Sequence, residues 1–177
     1  HALSDSAVEF VQNQIDQDRP FYLYLAHYAP HAPIQAPADR VQKCFDRYMA
    51  GFETLQRERF ARQLELGVVL ENSKIAAGMS SWDKMSDSKK REWAKMMATY
   101  AAMIESLDEN VGKVFAALEA TGRMDNTLIL FTSDNGGVST SEGSPTCNAP
   151  LTEGKGWTYE GGVREPTFAC WPGVVVA

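Results

Sequence analysis

Three short stretches of the 177-residue sequence carry side chains whose types and spacing suit chemistry. Asp134-Asn135-Gly136-Gly137 sets a carboxylate beside an amide oxygen. Both are hard donors suited to Ca2+ or Mg2+, and the glycines behind them let the backbone turn sharply. The same four residues also make an ordinary turn, because Asp and Asn bond readily to turn backbone. Two oxygens are also too few for an ion that takes about six to eight. His31, between Pro30 and Ala32-Pro33, stands on a stiffened loop where an imidazole can pass a proton to a leaving group or contact an anion. A solvated loop histidine is the plain alternative, and His27 reads as structural. Gly154-Lys155-Gly156 places a cation between two residues without side chains, so that it can reach an anionic oxygen unobstructed. No GxxxxGKS/T cradle precedes it, and a solvated lysine competes with that reading. Glu160, Arg164 and Glu165 read as an ion-pair network of the scaffold around a tight turn, rather than as catalytic groups.

The elements that must position these residues follow from the order of apolar patterns. Phe21 to Ala26 (FYLYLA) is apolar throughout, the signature of a strand buried on both faces. It runs into His27 to Pro33, and Pro30, Pro33 and Pro37 forbid helix there. Thr127 to Ser133 (TLILFTS) is a second such strand, running straight into Asp134-Asn135. Pro166 to Trp171 is a short third strand or an edge. Ser6 and Glu9 form a capping box for a helix to about Ile15, with Val8, Val11, Gln12 and Ile15 on one face. Gly51 to Leu66 is helical in period, with Gly67 as its stop. Val68 to Ser81 shows no period. From Trp93 through Met96, Met97, Tyr100, Met103, Ile104, Leu107, Val111, Val114 and Phe115 to Leu118, apolar residues step by threes and fours. They predict one amphipathic helix of about 33 residues, about 50 Å long, capped by Ser86 or Ser88 and stopped by Gly122. Its methionine-rich stripe reads as a core face packed on a sheet. Buried strands alternating with helices predict an α/β fold with helices flanking a mostly parallel sheet. In such sheets sites form outside the carboxyl ends of strands. Two separate strands here end in candidate site residues.

Composition bounds the function. A mix of 44% hydrophobic and 23% charged residues is globular. No apolar run approaches the roughly 18 residues of a membrane span. A net charge of −6 argues against a general nucleic-acid binder, though not against an anionic substrate at a locally basic site. Cys44, Cys147 and Cys170 have no metal-type spacing, and their odd count is no disulfide framework. No signal peptide is visible, and the chain starts at His1 without Met, as expected of a fragment or processed form.

Four stretches in this order resemble the sulfatase family of the alkaline-phosphatase superfamily, and most closely its large arylsulfatases. They are PFYLYLAHYAPHAP (Pro20 to Pro33), YAAMIESLDENVGKVFAALEATG (Tyr100 to Gly122), NTLILFTSDNGG (Asn126 to Gly137) and GKGWTYEGGVREP (Gly154 to Pro166). The resemblance implies an alkaline-phosphatase-like α/β fold. It implies a calcium (or magnesium) site with Asp134 and Asn135 as the late pair of ligands. It implies a substrate-contacting His31 that assists departure of the alcohol, and a Lys155 that contacts the sulfate. The family's nucleophile is a formylglycine made from a C/S-x-P-S-R motif, and no such motif occurs here. By resemblance the nucleophile and an early Asp-Asp metal pair belong to a preceding N-terminal part, and a C-terminal subdomain follows. Residues 1–177 therefore read as the middle of a sulfatase catalytic domain, inactive alone. The expected substrate is a sulfated small molecule or glycan, in a periplasmic or secreted enzyme. The alternatives are a phosphonate or phosphate monoester hydrolase of the same superfamily, and a non-catalytic anion- or metal-binding remnant.

Overall fold

A computed structural model describes residues 2–15, 17, 19–75, 82–139 and 148–175. They group into two units, His1–Met124 and Asp125–Ala177. The first is helical: α1 (Ala2–Gln12), α2 (Ala38–Tyr48), α3 (Phe52–Glu65) and α4 (Asp87–Ala120).

The long apolar period becomes α4, 34 residues long. Ser86 caps it, its hydroxyl accepting from Lys89 N at 3.3 Å. At the other end Arg123 N donates to Leu118 O at 2.9 Å and Gly122 takes φ 67°, the bond pattern that stops a helix. Of the predicted face, Met103, Val114 and Leu118 are buried, but helices rather than a sheet pack on it. Ala94, Ala98 and Ala102 are fully buried, whereas Tyr100 and Ile104 are each 40% exposed. Alanines at four-residue spacing let neighbouring chain approach the helix closely, and α1 and α2 both pack on α4.

The α2–α4 seam is closed by charge. Arg40 donates to both carboxylate oxygens of Glu109 at 2.8 Å, and Lys43 reaches Glu105 at 3.1 Å. The bond from Arg40 holds the Glu109 carboxyl below its ordinary value. On the α1 side Ser4, Ala7 and Val11 are buried, and Lys113 reaches Asp5 at 3.4 Å. Arg123 donates to the carbonyls of Gln14, Ile15 and Gln17 at 2.5, 3.1 and 3.2 Å, binding the end of α1 beside the end of α4.

Several expectations for this unit change. α1 starts at Ala2, not at Ser6, because nothing from Ala2 to Asp5 breaks a helix and Asp5 favours its first turn. Its inward face accordingly shifts, and Ile15 is 53% exposed. α3 matches its expected span, and Val68 N closes it on Gln63 O at 2.9 Å. α2 was not expected: Pro37 reads as loop, yet it is the N-cap of a helix. Within the aperiodic Val68 to Ser81, residues 76–81 lie outside the described residues. Phe21 to Ala26 has residues alternately half-buried and exposed, but forms no ladder among the described residues. Tyr22 and Tyr24 are 85% and 78% exposed, so neither face of this segment is the buried strand face expected.

The second unit holds β1 (Ile129–Thr132), a one-turn α5 (Glu160–Val163) and β2 (Thr167–Cys170). β1 and β2 pair antiparallel, with Ile129 opposite Cys170 and Thr132 opposite Thr167. A mostly parallel sheet is therefore not what the described residues form. Among the described residues between the strands the one helix is the single turn α5, and antiparallel neighbours need no long crossover helix. The strands are also exposed, with Leu130 and Phe168 both at 65%. Cys44 and Cys170 are free thiols, and Cys147 lies outside the described residues. Among the described residues no helix is long and apolar enough to cross a membrane.

Candidate functional site

β1 delivers Asp134 and Asn135 just past its carboxyl end, with Asp134 exposed and Asn135 half-buried. The loop that follows is built closely against a second loop. Gly136 has φ 88°, and a Cβ there would stand 2.8 Å from Gly162 Cα and 3.1 Å from Lys155 N. Gly154 is buried, and a Cβ on it would stand 2.5 Å from Asn148 Nδ2 and 2.6 Å from Ser139 Oγ, with Gly137 O closer still. Only glycine admits backbone at that spacing.

The contact is also bonded. Lys155 N donates to Gly137 O at 3.0 Å, and Asn148 Nδ2 donates to the same carbonyl at 2.9 Å. Gly161 N donates to Thr152 O at 2.8 Å, joining the Glu160-Gly161-Gly162 turn to the strand of loop before Lys155. The structure thus brings the Asp134-Asn135 loop and the Lys155 loop together. Lys155 is half-buried beside them. Asp134, Asn135 and Lys155 thus carry a carboxylate, an amide oxygen and an ammonium on two bonded loops, donor types suited to a hard cation and to an anion.

The scaffold network predicted from Glu160, Arg164 and Glu165 is smaller than expected. Arg164 approaches Glu160 at 3.8 Å, but Glu165 Oε1 is buried without a hydrogen-bond partner among the described residues. The α5 turn puts residues 160 and 164 one turn apart and leaves 165 beyond it.

His31 belongs to the first unit and is exposed. Its backbone N donates to Tyr28 O at 3.0 Å, and its ring lies 5.3 Å from that of Tyr28. Nδ1 is 2.6 Å from Ala32 O. A carbonyl only accepts, so Nδ1 carries a hydrogen and any proton this histidine trades passes through Nε2. His27 Nε2 is buried and unpartnered among the described residues, and burial lowers its pKa below the ordinary 6.5, in keeping with a structural role.

The donor types of Asp134 and Asn135 suit a hard divalent cation, but two oxygens leave most of its coordination sphere to other ligands. No group of three or more His, Cys, Asp or Glu side chains that could hold a metal occurs among the described residues. Asn148, which holds the two loops together, carried no motif in the sequence. Its signal is the pattern of backbone carbonyls around it, which only the fold creates.

A strand end thus opens into an Asp-Asn pair, with a lysine loop bonded to the turn that follows it. The chain belongs to the sulfatase family, whose family model matches residues 1–177. It is 33% identical over 122 residues to the arylsulfatase of Klebsiella aerogenes, covering 68% of this chain and 26% of that protein. It is 30% identical over 177 residues to the N-acetylgalactosamine-6-sulfatase of Mus musculus, covering 98% of this chain and 24% of that protein. Among solved structures it is similar to Ps i-CgsB, with 32% identity and a TM-score of 0.61 over 98% of this chain and 28% of that one. The chain spans about a quarter of the length of these curated relatives.

Proposed function

We propose that the full-length protein is a sulfuric-ester hydrolase acting on a sulfated sugar, with this chain supplying Lys155, His31, Asp134 and Asn135 to its site. The observation that carries the reading is the bond from Lys155 N to Gly137 O, which seats the lysine loop against the Asp-Asn loop. Lys155 places its ammonium against sulfate oxygens and offsets the charge that builds there as the ester bond breaks. His31, in its imidazolium form with Nδ1 committed to Ala32 O, would give its Nε2 proton to the departing alcohol oxygen. Asp134 and Asn135 would hold a divalent ion, Ca2+ or Mg2+, which when bound polarises a sulfate oxygen. The nucleophile, a formylglycine by family resemblance, lies outside residues 1–177.

The names of the relatives support a sulfate ester, and the mouse relative is named for a sulfated amino sugar. Ps i-CgsB was also solved in complex with k-i-k-neocarrahexaose, at 34% identity and a TM-score of 0.57 over 97% of this chain and 28% of that one. That ligand is an oligosaccharide, which favours a glycan over a simple aryl ester. The test is hydrolysis by the full-length protein of matched aryl sulfate and aryl phosphate esters, with release of inorganic sulfate from a sulfated oligosaccharide. Sulfate esters are hydrolysed faster, and the 177-residue chain alone turns over neither. Faster hydrolysis of the phosphate ester would replace the reading with a phosphomonoesterase.

A further inference from the structure

We propose that Asn148 is a positioning residue that sets the span between the Asp134-Asn135 pair and Lys155. Its side-chain NH2 group has two hydrogens, and each has its own acceptor. One goes to Gly137 O at 2.9 Å and the other to Glu153 O at 3.0 Å. These carbonyls lie two residues after Asn135 and two residues before Lys155. One planar amide therefore spans the two loops next to the residues proposed to bind the ion and the sulfate.

Three further features tie the amide to this place. Gly137 O also accepts from Lys155 N at 3.0 Å, so the clamp and the lysine share one acceptor. Gly154, between Glu153 and Lys155, offers its bare Cα to the amide, and a Cβ there would lie 2.5 Å from Asn148 Nδ2. Glu153 takes φ 59°, a left-handed conformation that costs a non-glycine residue on the order of 1 kcal/mol and needs outside support. The bond from Asn148 to Glu153 O supplies such support. Asn148 is itself anchored, its backbone carbonyl accepting from Leu151 N at 2.9 Å.

The chemistry selects asparagine. An aspartate of the same shape donates nothing and turns a carboxylate toward two carbonyl oxygens. An alanine leaves both carbonyls without this donor. Glutamine is one methylene too long for the same two bonds. In each case the loops lose this tie, and the Lys155 ammonium shifts from the place proposed for it beside the sulfate. A displacement of about 1 Å in a positioning group can cost on the order of 100-fold in rate.

The inference rests on the role proposed for Lys155, and the experiment separates the two. In the full-length protein, Asn148→Ala, Asn148→Asp, Lys155→Ala and the double variant Asn148→Ala/Lys155→Ala are assayed on an aryl sulfate. Hydrogen exchange of the Lys155 backbone amide is followed in the Asn148 variants. A positioning role predicts that each Asn148 variant loses about 10- to 100-fold in kcat, with KM changed less than about twofold. The loss should all but vanish in the Lys155→Ala background, because residues acting through one another are not additive. The Lys155 amide should exchange at least about tenfold faster, since its acceptor is no longer held. An equal fold loss in both backgrounds overturns the proposal, as does an unchanged kcat or an unchanged Lys155 amide. Failure of both Asn148 variants to fold also overturns it, in favour of a role in global stability. A silent Lys155→Ala instead removes the functional reading, and amide exchange then decides the clamp by itself.

Discussion

Replacing Gly154 with alanine tests whether the two site loops are locked back to back. The new methyl would meet Gly137 O, Asn148 Nδ2 and Ser139 Oγ, all closer than 3.0 Å. Ser139 can swing its hydroxyl away at little cost. Gly137 O cannot, because it is backbone and accepts from both Lys155 N and Asn148 Nδ2. Relief therefore means breaking or stretching two hydrogen bonds, each worth about 1 kcal/mol net. Overpacking strain of about 1–3 kcal/mol adds to that, for an expected cost of about 3–5 kcal/mol. Gly156→Ala is the control. A Cβ there has nothing within 4 Å, but φ is 89°, so the cost is backbone strain alone, about 1–2 kcal/mol. The assay is urea unfolding of the full-length protein and both variants, followed by tryptophan fluorescence, since Trp157 sits in this unit. The steric and hydrogen-bond costs dominate if Gly154→Ala has clearly the lower midpoint. Equal unfolding free energies for the two variants, within about 0.5 kcal/mol, would refute the close packing of the loops.

Two other expectations follow from the first unit. Ser86→Ala removes the cap that accepts from Lys89 N and should cost about 1 kcal/mol, while Ser86→Asp should cost nearly nothing; thermal unfolding of the two variants checks this. Burial lowers the His27 pKa below 6.5, so its neutral form is favoured in the fold. The associated stability is present above pH 6.5 and is lost as pH falls from there through the lower folded value. Replacing His27 with Gln should flatten that part of the stability–pH profile, and an unchanged slope would exclude His27 as its source.

The sequence disclosed some elements and hid others for identifiable reasons. α4 was legible from end to end because its period persists for nine turns and Ser86 and Gly122 mark its ends. Its packing partner was not legible, because Met103, Val114 and Leu118 mark a buried face without saying what covers it, and the buried alanines carry no such signal. α2 was missed because Pro37 reads as loop and because the helix fully buries none of its residues, so its pattern is weak. For FYLYLA, a run of apolar residues reads as a strand, but pairing depends on neighbours that the run does not name. The antiparallel β1–β2 pairing was hidden for the same reason. In the site, Asp134, Asn135 and Lys155 were legible as donors and a cation placed beside glycines. The seating of one loop on the other was not, since it depends on Asn148 and on carbonyl oxygens that every residue possesses.

The central claim is that Lys155 and the Asp134-Asn135 pair form one sulfate-ester site. The most direct measurement is kcat for release of a chromogenic phenol from its sulfate ester by the full-length protein and by its Lys155→Ala variant. Losing one preorganised cation at the developing charge should lower kcat by on the order of 100-fold or more, about 3 kcal/mol. The variant should still fold, because the bond from Lys155 N to Gly137 O is made by backbone that alanine retains. Undiminished kcat in a folded Lys155→Ala variant would contradict the account.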